Sequence, residues 1–147
     1  MTINISLGSS GAFSQFSLSS AAPAFSTTTD VSAFTSDQIK ALTVAQVSNL
    51  TTSQVAAIAT DALAGLTNKQ IQAMSTRQVM ALSTAQVAAL SSTQLNTMSS
   101  AQLNGLTTAQ VNALTSDQLP SLRASDVTAL NAQRFASITT TQIAALS

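Results

Sequence analysis

One eight-residue pattern recurs fifteen times between Thr27 and Leu146, with no insertion or deletion between copies. Fixed-period self-similarity means a repeat architecture, in which each unit buries its apolar face only by stacking on its neighbours. The clearest copies read Thr43-Val-Ala-Gln46-Val47-Ser-Asn-Leu50, Ser83-Thr-Ala-Gln86-Val87-Ala-Ala-Leu90 and Thr107-Thr-Ala-Gln110-Val111-Asn-Ala-Leu114. In general form the octad is Ser/Thr, two variable residues, Gln, Val/Ile/Leu, one variable residue, a small residue, then Leu/Met/Ile.

Ser or Thr opens twelve of the fifteen octads, and Gln stands three residues later in eleven. That pairing is the capping box: the hydroxyl accepts from the backbone N–H three residues on, and the Gln side chain returns a bond to the cap. A box recurring every eight residues predicts a helix that restarts every eight residues, each with about six or seven residues and under two turns. A further reading of the Gln row is a line of ligand-binding amides.

The fifth and eighth positions are apolar in all fifteen copies, and their i,i+3 spacing puts them on one helix face. The seventh is small in thirteen, which allows close approach of neighbouring helices. A single continuous helix fails on phase. Eight residues advance about 800°, so the apolar stripe drifts about 80° per octad and circles the helix within about five. A strand solenoid fails because i,i+3 apolar pairs and helix-forming Ala and Gln do not suit alternation. The expected fold is therefore all-α, a solenoid of fifteen single-helix octads over residues 27–146. Its axial core is expected to hold Val47, Leu50, Val55, Ile58, Val79, Leu82, Val87, Leu90, Val111 and Leu114. No octad stands alone, since helices under about 12 residues are marginal in water.

Residues 1–26 depart from the register and form a low-complexity N-terminal arm of Ser, Ala, Gly and Phe. Ile3, Ile5 and Leu7 alternate with polar residues, as do Phe16 and Leu18, which is a half-buried strand pattern. The arm reads either as a disordered tail or as an assembly arm whose Ile3, Ile5, Leu7, Phe13, Phe16, Leu18 and Phe25 seek a groove or strands of another copy. Within the octads, 59–66 lacks both cap and Gln, leaving Thr60 to cap one residue late. Pro120 removes a helix bond to the Ser116 carbonyl, so that helix must be shortened or bent. Arg123, Asp126, Asn131 and Arg134 make two late octads irregular, through drift or as a charged contact between subunits.

Composition excludes several functions. The formal charge is zero and charged residues make up 7% of the chain, against roughly 25% in ordinary soluble domains. Such a surface favours self-association, and it offers no basic patch for nucleic acid. Cys and His are both absent, which removes thiol chemistry, imidazole-bound metals and the usual general base. No enzyme, cofactor, metal or small-molecule ligand is expected. No apolar run nears the length of a membrane span, and the start lacks the positive segment of a Sec-type signal.

The segment Leu50-Thr-Thr-Ser-Gln-Val-Ala-Ala-Ile-Ala59 resembles the first helix of a TAL-effector repeat over about ten residues. Those DNA-reading repeats carry a second helix and a base-reading loop that are missing here, so the likeness is one of capping chemistry. The whole array is similar to Leu-Thr-x-x-Gln-Val octapeptide tracts of large secreted or surface proteins of proteobacteria. That resemblance implies a structural or adhesive role outside the cell or at its surface.

The leading expectation is a subunit of an extracellular filament or surface fibre whose partner is itself. It would polymerise by end-to-end solenoid contacts, with no polar capping octad visible at either end, and by exchange of the arm. The alternative is a solenoid module that binds a protein or glycan; ice and glycan binding by the hydroxyl rows belong to that reading.

Overall fold

The computed structural model describes residues 30–123 and residue 144. Ten short helices follow one another: α1 (Ser36–Ala41), α2 (Val44–Ser48), α3 (Thr52–Ala57), α4 (Thr60–Leu63), α5 (Asn68–Ala73), α6 (Thr76–Met80), α7 (Thr84–Ala89), α8 (Ser92–Asn96), α9 (Ser100–Gly105) and α10 (Thr108–Asn112). No strand occurs among the described residues. The protein is an all-α repeat solenoid, with one helix in each of the ten octads from residue 35 to 114 and none in the described parts of octads 27–34 and 115–122. The arm residues Ile3, Ile5, Leu7, Phe13, Phe16, Leu18 and Phe25 lie outside the described residues, as do Asp126, Asn131 and Arg134.

The helices are four to six residues long, at or below the lower end of the six or seven that capping alone predicts. The reason lies at the C-terminal end of each octad. The eighth residue donates its backbone N–H to the carbonyl of the fifth, as in Leu42 to Ile39 (3.2 Å), Leu90 to Val87 (3.2 Å) and Leu106 to Leu103 (3.1 Å). This i→i+3 closure tightens the last turn and ends the helix. The eighth residue then turns extended, at φ −62°, ψ 142° for Leu42 and φ −64°, ψ 138° for Leu90. The Ser/Thr cap that follows is extended too, at φ −71°, ψ 157° for Thr43. Two consecutive extended residues make the corner between one helix and the next.

Nine of the ten helices carry a complete capping box; α4 does not. There the cap is Ala59, with no side-chain bond, and Thr60 is the first helical residue rather than a late cap. α4 still starts at the second octad position, like its capped neighbours, and is the shortest helix because it ends early, at Leu63. In octad 115–122 the chain makes turns and no helix forms. Thr115 still caps, with Gln118 N–H donating to its Oγ1 (3.2 Å). Pro120 has no N–H to continue the ladder, and helix formation stops at that point.

Helices three octads apart pack together: α1 on α4, α2 on α5, α3 on α6, α4 on α7, α5 on α8, α6 on α9 and α7 on α10. The fifth and eighth residues of every octad from Val31 to Leu122 converge on the axis, and all but the half-buried Phe34 lie within one buried apolar cluster. Val55, Val79, Val87 and Val111 are fully buried, and Val47, Leu50, Ile58, Leu82, Leu90 and Leu114 are at most 6% exposed. The seventh position explains its own smallness. A Cβ added to Gly65 would collide with the backbone oxygen of Ser36, and one added to Gly105 with Cγ2 of Thr76. In both cases the seventh residue of one octad sits on the second residue of an octad three earlier.

Candidate functional site

The most organised polar feature is the row of glutamines at the fourth position. Nine of them, from Gln46 to Gln118, are only 2–6% exposed. Burying an amide without partners is costly, so each must satisfy both of its ends. Gln86 shows how. Its Oε1 accepts the backbone N–H of Ser83 at 2.7 Å, and its own backbone N–H donates to Ser83 Oγ at 3.1 Å. Its Nε2 points the other way, out of its own octad. It donates to the carbonyls of Val55 at 3.1 Å and Ile58 at 2.7 Å, with Ala56 at 3.4 Å.

The same geometry recurs. Gln70 Nε2 donates to Ile39 (3.0 Å) and Leu42 (2.7 Å), and Gln78 to Val47 (2.9 Å) and Leu50 (2.7 Å). Gln102 reaches Ile71 (2.8 Å) and Met74 (2.7 Å), Gln110 reaches Val79 (3.0 Å) and Leu82 (2.7 Å), and Gln118 reaches Val87 (3.1 Å) and Leu90 (2.6 Å). Gln94 reaches Leu66 at 2.8 Å. The targets lie 31 and 28 residues back, the fifth and eighth positions of the octad four earlier. With helix packing at three octads and amide pairing at four, each turn of the spiral takes between three and four octads.

Helix ends explain this register. The last carbonyls of a helix have no partner within it. In this chain the eighth carbonyl is such an orphan, and it takes the shortest of the amide bonds. The fifth carbonyl already accepts the closing N–H, as in Val55 from Ile58 at 3.3 Å, and a carbonyl oxygen has a second lone pair for the amide. One glutamine therefore finishes the N-terminus of its own helix and the C-terminus of a helix in the turn before. The result is a ladder of amides running beside the apolar axis. The ladder lacks a rung at Ala62, which stands at the fourth position of octad 59–66.

With both amide ends occupied inside the fold, the glutamine row does not present a ligand surface. Sequence reasoning found the capping half of each glutamine and missed the half that joins the turns. A signal was available. Capping boxes take Glu as readily as Gln, yet the chain holds no Glu anywhere. Only the amide carries a donor, and only a donor can face carbonyls.

The surface offers little chemistry among the described residues. A shallow hollow between α1 and α4 is lined by Ser36, Asp37, Lys40, Asp61, Gly65 and Thr67. No group of metal-ligating side chains assembles among the described residues, and no helix there is long and apolar enough to cross a membrane. Among the described residues, Val44 and Met80 are the exposed large apolar ones, at 44% and 50%. Asp30 is fully exposed. Ser32 holds its carboxyl below the usual carboxylate range, first through its hydroxyl (2.6 Å) and then through its backbone N–H (2.9 Å). Arg123 donates to the Asn96 carbonyl, tying the last described octads to the turn before.

The cap-to-glutamine stretch also carries the likeness to known proteins. A family model described as the ALTTAQ repeat matches residues 55–92 and again 89–124. Residues 55–124 resemble the ALTTAQ repeat. In this chain the string runs from the small seventh residue to the ladder glutamine: Ala81-Leu82-Ser83-Thr84-Ala85-Gln86 and Gly105-Leu106-Thr107-Thr108-Ala109-Gln110. The six positions of an ALTTAQ unit are thus the close-packing residue, an axial residue, the cap, two outward residues and the rung. No curated protein and no solved structure matches the chain.

Proposed function

We propose that this protein is a non-catalytic, self-assembling structural subunit of an extracellular filament or surface fibre. One observation carries the reading: the amide ladder is directional and recurs along the axis, broken among the described octads only at Ala62. Each octad donates toward earlier octads and accepts from later ones, so a turn from a second copy can in principle take the place of the next turn of the first. A contact of that kind is heterologous and open-ended, and it propagates. The low charge content, at 7%, removes the like-charge repulsion that would keep copies apart.

End-to-end stacking would be reinforced by exchange of the arm, residues 1–26, through Ile3, Ile5, Leu7, Phe13, Phe16, Leu18 and Phe25. The similarity to Leu-Thr-x-x-Gln-Val tracts of secreted and surface proteins supports a location outside the cell or on its surface. Electron microscopy of the purified protein over a concentration series, with sedimentation velocity alongside, tests the proposal. Filaments whose length grows with concentration are expected. A monodisperse monomer at high concentration would overturn the reading and favour a solenoid that binds a protein or glycan.

A further inference from the structure

Each octad in the middle of the stack is fastened in two ways: an apolar pair enters the axis, and hydrogen bonds secure both helix ends. Octad 59–66 keeps the first. Leu63 and Leu66 are 0% and 5% exposed, and α4 packs on both α1 and α7. It lacks most of the second, at three points. At the N-terminal end Ala59 makes no side-chain cap bond. At the fourth position the buried Ala62 has no donor to send to an earlier turn. At the C-terminal end the amide that serves this octad, Gln94, reaches Leu66 at 2.8 Å and Ala64 at 3.4 Å. The fifth carbonyl, that of Leu63, takes no amide bond among the described residues. The other six amides that join turns, from Gln70 to Gln118, all reach the fifth carbonyl of their target octad.

The octads on either side are held. α3 and α5 carry complete capping boxes. Three consecutive rungs bypass α4: Gln70 ties octad 67–74 to 35–42, Gln78 ties 75–82 to 43–50, and Gln86 ties 83–90 to 51–58. The turn before α4 is therefore bonded to the turn after it without a contribution from α4. Apolar burial is non-directional and does not fix α4 in one seat; cap and amide bonds do that elsewhere. Solvent also reaches the seam between α4 and α1, where the shallow hollow beside Asp37, Lys40 and Asp61 lies.

We propose that α4 is a detachable strap in the stack. Octad 59–66 leaves its seat against α1 and α7 and returns, while Gln70, Gln78 and Gln86 keep the turns on both sides joined. This is a local opening, of the kind that lies below global unfolding in free energy. An open octad gives the chain slack, since eight residues reach up to about 26–29 Å when extended. The inference concerns a single copy of the chain and stands whether or not copies assemble.

Amide hydrogen exchange in the full 147-residue chain, followed by NMR at several urea concentrations below the unfolding midpoint, tests this. Leu63, Ile71 and Val87 make the same backbone bond, to the first residue of their own octads at 3.0 Å. A difference between them therefore reports opening rather than bond geometry. With three stabilising hydrogen bonds missing at roughly a factor of five each, Leu63 should exchange about 100-fold faster than Val87 and show little dependence on urea. Ile71 should match Val87. Ala59→Ser restores the cap at an exposed position and should slow Leu63 about fivefold, with Val87 unchanged. Adding Ala62→Gln, which offers an amide toward the Val31 carbonyl, should slow it further. Equal exchange at Leu63 and Val87 in the parent would overturn the proposal. So would Ile71 opening together with Leu63, or an Ala59→Ser chain in which Leu63 exchanges as fast as before.

Discussion

Gln86→Glu would isolate the part of the fold that joins one turn to another. Glutamate keeps the capping half of the site, since a carboxylate oxygen accepts the Ser83 N–H as the amide does. It reverses the other half. A second oxygen would replace Nε2, which now donates to Val55 at 3.1 Å and Ile58 at 2.7 Å. Two hydrogen bonds of about 1 kcal/mol each are lost, and the Ile58 carbonyl, an orphan of its helix, is left facing a buried negative charge. The expected cost is about 4 kcal/mol at neutral pH, or a fall of roughly 8–16 °C in Tm for a chain of this length.

The loss should depend on pH. Burial and the facing carbonyls raise the new carboxyl above its unfolded value of about 4.3. A raised acid is destabilising where the unfolded chain ionises and the folded chain resists. The penalty is therefore small below the unfolded value, grows as pH rises toward the folded value, and then levels off. Urea and thermal midpoints by circular dichroism at about pH 4 and pH 7 measure this. Gln38→Glu is the control. Gln38 makes the same box, with Thr35 N–H to its Oε1 at 2.8 Å, but it is half-exposed and its Nε2 reaches no carbonyl among the described residues. That substitution should stay within about 0.5 kcal/mol of the parent. Equal losses at the two positions, or no loss at Gln86, would refute the ladder as a source of stability.

Val87→Asp puts an unpaired charge at a fully buried axial position and should cost several kcal/mol, read as a lower urea midpoint. Gly65→Ala should destabilise despite the helix propensity of Ala, because the new methyl meets the Ser36 backbone. Gly105→Ala meets only the Thr76 side chain, so Thr76→Ser should restore most of its loss in a double-mutant cycle. Pro120→Ala returns the missing N–H to octad 115–122 and should raise the helical signal at 222 nm by about one short helix without lowering Tm. The parent has no His or Cys, so its midpoint should stay flat between about pH 5 and 9, since no side chain with an ordinary pKa changes charge there. Asp30 is exposed, and its carboxyl is held low by Ser32. Any stability it adds is present above the unfolded carboxyl value and lost only as pH falls through the folded one.

What eight neighbouring residues decide among themselves was legible in the sequence. Thr51 and Gln54 meet within one octad, with Gln54 N–H to Thr51 Oγ1 at 3.1 Å and Thr51 N–H to Gln54 Oε1 at 2.9 Å. The pairing of Val55 with Ile58 on one face needed only helix geometry; Pro120 is expected to shorten or bend its helix, and the structure goes further, with turns and no helix in octad 115–122. Thr60 was misread for a local reason as well: with Ala59 as cap, the backbone at Thr60 is already helical.

Capping boxes, the apolar pair at positions five and eight and the small seventh residue determined by themselves that helices restart every eight residues and share one axis. Tertiary structure alone decided how many octads close a turn. That number depends on the rotation accumulated over several corners of two extended residues, such as Leu42 and Thr43, and no single octad encodes the sum. It settled in turn that Gly65 rests on Ser36 and that Gln86 reaches Val55 and Ile58. A glutamine can announce that it has a donor to place; which carbonyl comes within 3 Å is known only once the chain has come round.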